Sequence, residues 1–380
     1  MALGINLTLS LGTMVTSPAP KAITEALESV EVTHSDSGPS VFQLKFHADR
    51  SVGASRDFAL LSSPLLKPTN RVQISVTFNG TPRVLMDGFI TAQELTHERA
   101  MGASTLTVTG EDVSVMMDLY EYSMEYPAMG DSAIAWLVLA KYAVFGIVPE
   151  VMPTLSSLVS LPVEHVPQQN DTDRNYLKQL AASHGYVFYV KPGPASGANS
   201  AYWGPPLRFG TTQKALSVDM GPATNVDTIN FHYDALAPTL MHGLVQDDDL
   251  DLVTPVLTFA STRLPPFATD PAIYANFPFV RNRQYVDPRL GAIRAYDFAF
   301  NETTLSTDKV VVVQGTLDAL RYGDLLDAPG RVAVRGAGAS YDGLYYVQSV
   351  THTIARGSYK QNFALNREGT GSTIQHVSSS

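Results

Sequence analysis

Few residues in this 380-residue chain are spaced for chemistry, and each such group lacks a partner it needs. Thr-His-Glu-Arg (96–99) opens like the helical zinc motif H-E-x-x-H, in which two histidines one turn apart share a metal. Residue 101 is Met, so the second ligand is missing. Gly-Ala-Ser-Tyr-Asp-Gly (338–343) resembles a nucleophile elbow but has Asp342 where G-x-S-x-G requires glycine. The acidic run Asp-Asp-Asp-Leu-Asp (247–251) starts like a calcium loop, yet position six is Leu252 and position twelve is Thr258. Gly-Ala-Gly-Ala-Ser (336–340) leads into a strand pattern, with no helix N-terminus to hold a phosphate. Cysteine is absent, which removes thiolate ligands, thiol nucleophiles and disulfides together. A carboxylate pair for glycoside hydrolysis is defined by spatial separation, and nothing in the sequence singles one out. The expectation is therefore no catalytic, cofactor-binding or metal-binding residue and no cofactor, with a hydrolase of cell-wall or surface polysaccharide as the alternative.

Composition points to buried or partnered surface. Charged residues make up 16% of the chain against 44% hydrophobic, and the net charge is −10. A quarter charged is usual, so much of the surface is expected to lie in cores or against other subunits. The acidic balance argues against nucleic acid, whose phosphates need clustered Lys and Arg. The densest basic stretch, VRNRQYVDPRLGAIR (280–294), spreads four arginines through loop-like residues. The N-terminal residues MALGINLTLSLGTMV have no basic region before an apolar core, so no signal peptide is expected. The longest apolar stretch, AIAWLVLAKYAVFG (133–146), is shorter than the ~20 residues needed to cross a bilayer. Between Ser132 and Gly146 it reads as a capped, buried helix.

Hydrophobic periodicity divides the chain. INLTLSL (5–11), FQLKF (42–46), VQISVTF (72–78) and TLTVT (105–109) alternate with period two, as half-buried strands do. Asn79-Gly80 between two such runs is a hairpin signal. Residues 1–118 are expected to form a first β-barrel and 119–206 an α/β insertion. The stretch NDTDRNYLKQLAASHGYVFYV (170–190) is its clearest unit. Asp171 or Thr172 caps a helix, Tyr176, Leu177, Leu180 and Ala181 form its apolar face, and Gly185 stops it before a buried strand. KPGPASGANSAYWGPP (191–206) reads as a flexible loop and domain border, placing Trp136 in a helix and Trp203 in a loop. Residues 207–305 read as mixed β and loop, 306–370 as a second barrel and 371–380 as a disordered tail.

The two β regions share a segment. DGFITAQELTHERAMG (87–102) and DGLYYVQSVTHTIARG (342–357) agree without a gap at seven of sixteen positions. The identities are Asp87/Asp342, Gly88/Gly343, Gln93/Gln348, Thr96/Thr351, His97/His352, Ala100/Ala355 and Gly102/Gly357. A duplicated strand–turn–strand unit explains this better than chance agreement between two β-segments. The paired histidines have no nearby carboxylate or metal spacing, so a structural role is expected for both. The fold class is thus mainly β with an α/β insertion, two antiparallel β-barrels being related by duplication.

These parts, in this order, resemble the phage late-control protein D family. Its members are baseplate hubs of contractile tails and injection systems, related to the hub half of the type VI secretion spike. LLKPTNRVQISVTFNGTPRVLMDGFITAQEL resembles that family's first barrel. Asp173, Tyr176, Leu177, Leu180, Ala181, Gly185 and Tyr186 follow its D-x-x-F-L-x-x-L-A-x-x-x-G-Y helix and strand, with Tyr for the more usual Phe. ALRYGDLLDAPG, DGLYYVQSVTH and GSYKQNFALNR resemble the closing barrel. The resemblance covers roughly 180 residues. It implies tail-tube-like barrels and a homotrimer that presents six of them, adapting a six-fold inner tube to a three-fold spike. It also implies as partners a spike or needle, a hexameric tube or tube-initiator protein, and baseplate components. The chain stops at IQHVSSS without a needle domain, so the needle is expected on a separate polypeptide. Assembly in the cytoplasm into a tail or injection particle follows. A carbohydrate-binding module is the third reading and requires exposed Tyr and Trp clustered on one sheet face.

Overall fold

A computed structural model of the chain describes residues 5–48, 58–97, 104–154, 166–193, 197–247, 252–285 and 292–374. Most of the acidic run 247–251, residues 286–291 of the basic stretch 280–294, residues 98–102 of the repeated segment 87–102 and the terminal residues 375–380 fall outside these.

The first half holds β1 (Asn6–Gly12), β2 (Ser17–Pro18), α1 (Lys21–Ala26), β3 (Leu27–Ser35), β4 (Val41–His47), β5 (Arg71–Phe78), β6 (Thr81–Thr96) and β7 (Thr105–Asp112). Its strands form where the alternation lies. In β4, for example, Phe42, Leu44 and Phe46 face one core while Val41, Gln43 and Lys45 face outward. Asn79 and Gly80 adopt positive φ of 49° and 80° and turn β5 into β6.

The insertion contains β8 (Glu121–Glu125), α2 (Asp131–Ala140), β9 (Ile147–Val151), β10 (Gln168–Thr172), α3 (Asp173–Ser183), β11 (Val187–Pro192) and β12 (Asn199–Gly204). Thr172 caps α3, its hydroxyl accepting the Asn175 N–H at 3.3 Å, and Gly185 ends the turn at φ 63°. Tyr176, Leu177 and Ala181 are buried as expected, whereas Leu180 is only partly covered. Two expectations need correction. Helix α2 starts from Gly130, not Ser132, and ends at Ala140; it buries one face only, leaving Trp136 56% exposed. Residues 191–206 are not a border loop. The β11–β12 hairpin continues the insertion's sheet, and Trp203 is fully buried on it, its indole N–H donating to the Leu177 carbonyl at 3.1 Å. The Pro and Gly residues there bracket a strand instead of replacing one.

The rest of the chain comprises β13 (Gln213–Ser217), β14 (Val226–Tyr233), β15 (Thr239–Asp247), β16 (Leu252–Leu257), β17 (Asp270–Pro271), α4 (Ala272–Ala275), β18 (Arg281–Gln284) and α5 (Ala292–Thr307). After these come β19 (Val311–Asp318), α6 (Ala319–Tyr322), β20 (Gly330–Arg335), β21 (Gly343–Ala355), β22 (Ser358–Arg367) and β23 (Gly369–Thr370). Residues 207–305, expected as mixed β and loop, hold all but the last two residues of a 16-residue helix that packs on the small sheet β16-β15-β18. They also supply β13 and β14 to the second barrel, which therefore begins well before residue 306.

One thirteen-stranded sheet runs β14-β19-β22-β21-β3-β4-β7-β6-β5-β1-β2, with β20 and β13 branching from β21. Each half repeats one plan. The order β3-β4-β7-β6-β5-β1 matches β14-β19-β22-β21-β20-β13, although β13 is parallel to β20 where β1 is antiparallel to β5. The shared sequence segments occupy β6 and β21, the matching strands, and each carries a bulge against its next strand. Each half wraps its own apolar core, and the insertion and the small sheet have cores of their own.

Leu177, central to the insertion core, gives a direct test of this packing. Leu177→Asp is expected to cost about 3 kcal/mol or more in urea unfolding, because it buries a charge without a partner. Exposed Ala182→Asp should stay within about 0.5 kcal/mol.

Candidate assembly interface

The two halves meet along β3 and β21, which pair antiparallel from Ser29–Ser35 to Ser349–Ala355. Both strands are positioned by their own hairpins, so the seam joins two preformed sheets into one. On the outer face the hydroxyls of Thr33 and Thr351 lie 2.9 Å apart. On the inner face the His34 and His352 rings meet edge to face, 5.5 Å between centroids. His352 Nδ1 lies 2.9 Å from the Tyr359 hydroxyl and 3.2 Å from Gln361 Nε2, and His34 Nδ1 lies 3.3 Å from the Ser40 hydroxyl. Burial holds His34 down at about 4, and burial followed by the neighbouring His34 holds His352 well below its ordinary value. Both rings are neutral parts of the core, as expected for structural histidines. His97, the repeat partner of His352, is instead exposed and bonds the Ser104 hydroxyl at 3.1 Å.

Beside the seam, the insertion, the small sheet's helix and the second barrel enclose a cavity of about 390 Å3. Its walls include Asp36, Tyr346, Lys178 and Asn366, together with two arginines already paired. Arg208 binds Glu368 at 2.8 Å and Asp308 at 3.3 Å, while Arg263 binds Asp308 at 2.7 Å and donates to the Gly185 carbonyl at 2.9 Å. Burial opposes charge on Glu368, yet Arg208 and the amide of Ala268 hold its carboxyl below the ordinary range. Asp36 differs. Its carboxyl is buried with one oxygen unpartnered, and burial raises it to about 6. Asp308 is tied to both arginines, so Asp36 is the carboxyl of this cavity wall that burial pushes toward its neutral form. Among the described residues no His, Cys, Asp and Glu cluster could hold a metal. Asp36 could not be singled out from sequence, since SDSGPS around it reads as an ordinary turn.

Among the exposed large apolar side chains, Phe277 and Phe279 are 74% and 77% accessible in the loop after α4. Leu244 on β15 and Val253 and Leu257 on β16 lie on the outer face of the small sheet, opposite α5. On the insertion, Trp136, Tyr120 and Val144 are likewise uncovered. The low charge of the chain therefore reflects uncovered apolar surface as well as cores.

Comparison with known proteins agrees with this architecture. The family model described as the Alg8 N-terminal domain matches residues 27–229, more than half of the chain. That family is not the late-control protein D family that the sequence resembles. Among curated proteins no sequence match was found. The fold is similar to that of the tail protein from Neisseria meningitidis MC58, at 13% identity and TM-score 0.63, over 96% of this chain and 97% of that one. It is also similar to the 43 kDa tail protein of prophage MuSo2 from Shewanella oneidensis, at 13% identity and TM-score 0.63, over 95% and 98%. A third is the E. coli c3393 protein, a type VI secretion component with structural similarity to T4 bacteriophage tail proteins gp27 and gp5. It matches at 11% identity and TM-score 0.54 over 89% of this chain and 73% of that one. The chain thus has a phage tail or baseplate-like fold.

The seam histidines set a pH dependence. Their folded values lie below the unfolded value near 6.5, so acid adds protons to the unfolded chain first. Stability is then full above about pH 6.5 and is lost as pH falls toward 4, by about 3 kcal/mol for His34 alone. Asp36, raised to about 6, works in the opposite direction over the same range. Urea midpoints measured from pH 7 to 4.5 are expected to fall in the wild type and to fall less in His34→Gln.

Proposed function

From its tail-protein fold we propose that this chain, which belongs to the Alg8 N-terminal domain family, is the structural baseplate hub of a contractile tail or injection system. Three copies form a ring of six similar barrels, matching a six-fold inner tube on one side and a three-fold spike on the other. The observation that carries this reading is the repeated strand plan of the two halves, joined edge to edge as one sheet. A ring of identical contacts preserves the number of copies, so three chains present three-fold symmetry to any partner that reads whole chains. A partner that reads barrels counts six. The uncovered apolar groups on the small sheet and the insertion supply surface for permanent contacts, which commonly bury about 2,000–5,000 Å². Partners of this hub are a spike or needle protein, a hexameric tube or tube-initiator protein, and other baseplate parts. Its net charge of −10 disfavours nucleic acid.

Catalysis has no place in this reading. Mass measurement on the purified protein, alone and with its cognate spike, is expected to give three chain masses. A single chain mass at every concentration would overturn the hub. Incubation with peptidoglycan is expected to release nothing, and turnover abolished by Asp36→Asn would move the chain to the hydrolases.

A further inference from the structure

We propose that the outer edge of β14 and the exposed end of β6 are the two sides of an intermolecular seam. A second copy of this chain pairs its β6 end with β14, as β21 pairs with β3 within one chain. The inference rests on the hub reading and names the strands that make the ring.

The repeat makes the case. In the shared plan β14 occupies the place of β3 and β6 the place of β21. Inside the chain β3 finds β21, but among the described residues no strand pairs with the outer edge of β14. Burial records the difference. Val30 and Val32 on β3 are 1% and 0% exposed with β21 alongside, whereas Ile229, Phe231 and Tyr233 on β14 are only half-buried against their barrel. At the other side, Val350 and His352 are fully buried under β3, while their counterparts Leu95 and His97 are half-buried and exposed.

The identical residues fall in the same place. Thr351 meets Thr33, His352 packs on His34, and the Gln348 carbonyl accepts the Asp36 N–H at 3.2 Å. Among the described residues no β3-like strand lies beside their repeat partners Thr96, His97 and Gln93. Segment 58–66 reaches this end at two described points, Gln93 donating to the Leu66 carbonyl at 2.6 Å and Phe58 lying 5.1 Å from His97. β14 also lacks the usual protection of a free edge. Its eight residues, VDTINFHY, contain neither Pro nor Lys. A second copy is the occupant that these observations favour, because it brings the face that β3 already uses.

The chain has no cysteine, so introduced thiols report alone. Thr33→Cys with Thr351→Cys, directly opposed across the internal seam, serves as the control and is expected to close within one chain. Asn230→Cys is then combined in turn with Ala92→Cys, Glu94→Cys and Thr96→Cys to allow for register. Under mild oxidation, at least one combination is expected to give several-fold more linked oligomer than either single variant. The masses of the unoxidised proteins are measured in parallel. Oligomers whose chains never link above the single variants would overturn this seam and leave the hub reading standing. Monomers at every concentration, with no linkage, would overturn both.

Discussion

The molecule depends on one piece of strand pairing, the seven-residue match of β3 with β21. Without it the halves would be two rolled sheets on a string, each ending in an open edge. With it, backbone hydrogen bonding runs unbroken across thirteen strands. The apolar core also crosses the boundary: Ala319, Leu325, Ile354 and Tyr359 of the second half belong to the first half's core. Bringing together residues more than 300 positions apart costs loop-closure entropy that only a broad, specific contact can offset. The buried histidines add specificity to it, since a slip of one residue by either strand would turn its histidine outward and its threonine inward.

Around that seam the other parts are fastened by buried charge. Arg71 holds Asp87 through two nitrogens, at 2.6 and 2.7 Å, and reaches the Phe145 carbonyl at 3.2 Å. Asn199 reaches the same carboxylate at 3.1 Å, so a repeat residue of the first barrel also anchors the insertion. The Arg208, Glu368, Asp308 and Arg263 network does the same between the second barrel, α5 and Gly185. Such pairs add little net stability over apolar packing but penalise wrong arrangements heavily, because a displaced partner leaves a charge buried alone.

Local features were legible in the sequence, and long-range ones only through the repeat. Period-two alternation located the strands of the first barrel, and Asn79-Gly80 its hairpin, because both signals lie within a few residues. Helix α5 escaped because its buried face is Ala295, Ala299, Thr303 and Thr307, small or polar at the right spacing, leaving no apolar stripe to read. The β11–β12 hairpin escaped because Gly and Pro at its flanks outweighed the short run Ala201, Tyr202 and Trp203 between them. No pattern in 29–35 names 349–355 as its partner. The matching Asp-Gly and Thr-His pairs did show that the plan occurs twice, which is what the sheet order contains. The uncovered apolar side chains were hinted at only by the low charge, since residues such as Phe277 and Phe279 look like core residues until the fold leaves them exposed.

The two tryptophans stand in opposite environments. Trp203 is enclosed in the insertion core with its N–H bonded, while Trp136 looks out from α2. The protein's native emission therefore carries two separable signals without any label. A water-soluble quencher reaches one indole and leaves the other dark to it, so docking on α2 and loosening of the insertion core have distinct optical signatures.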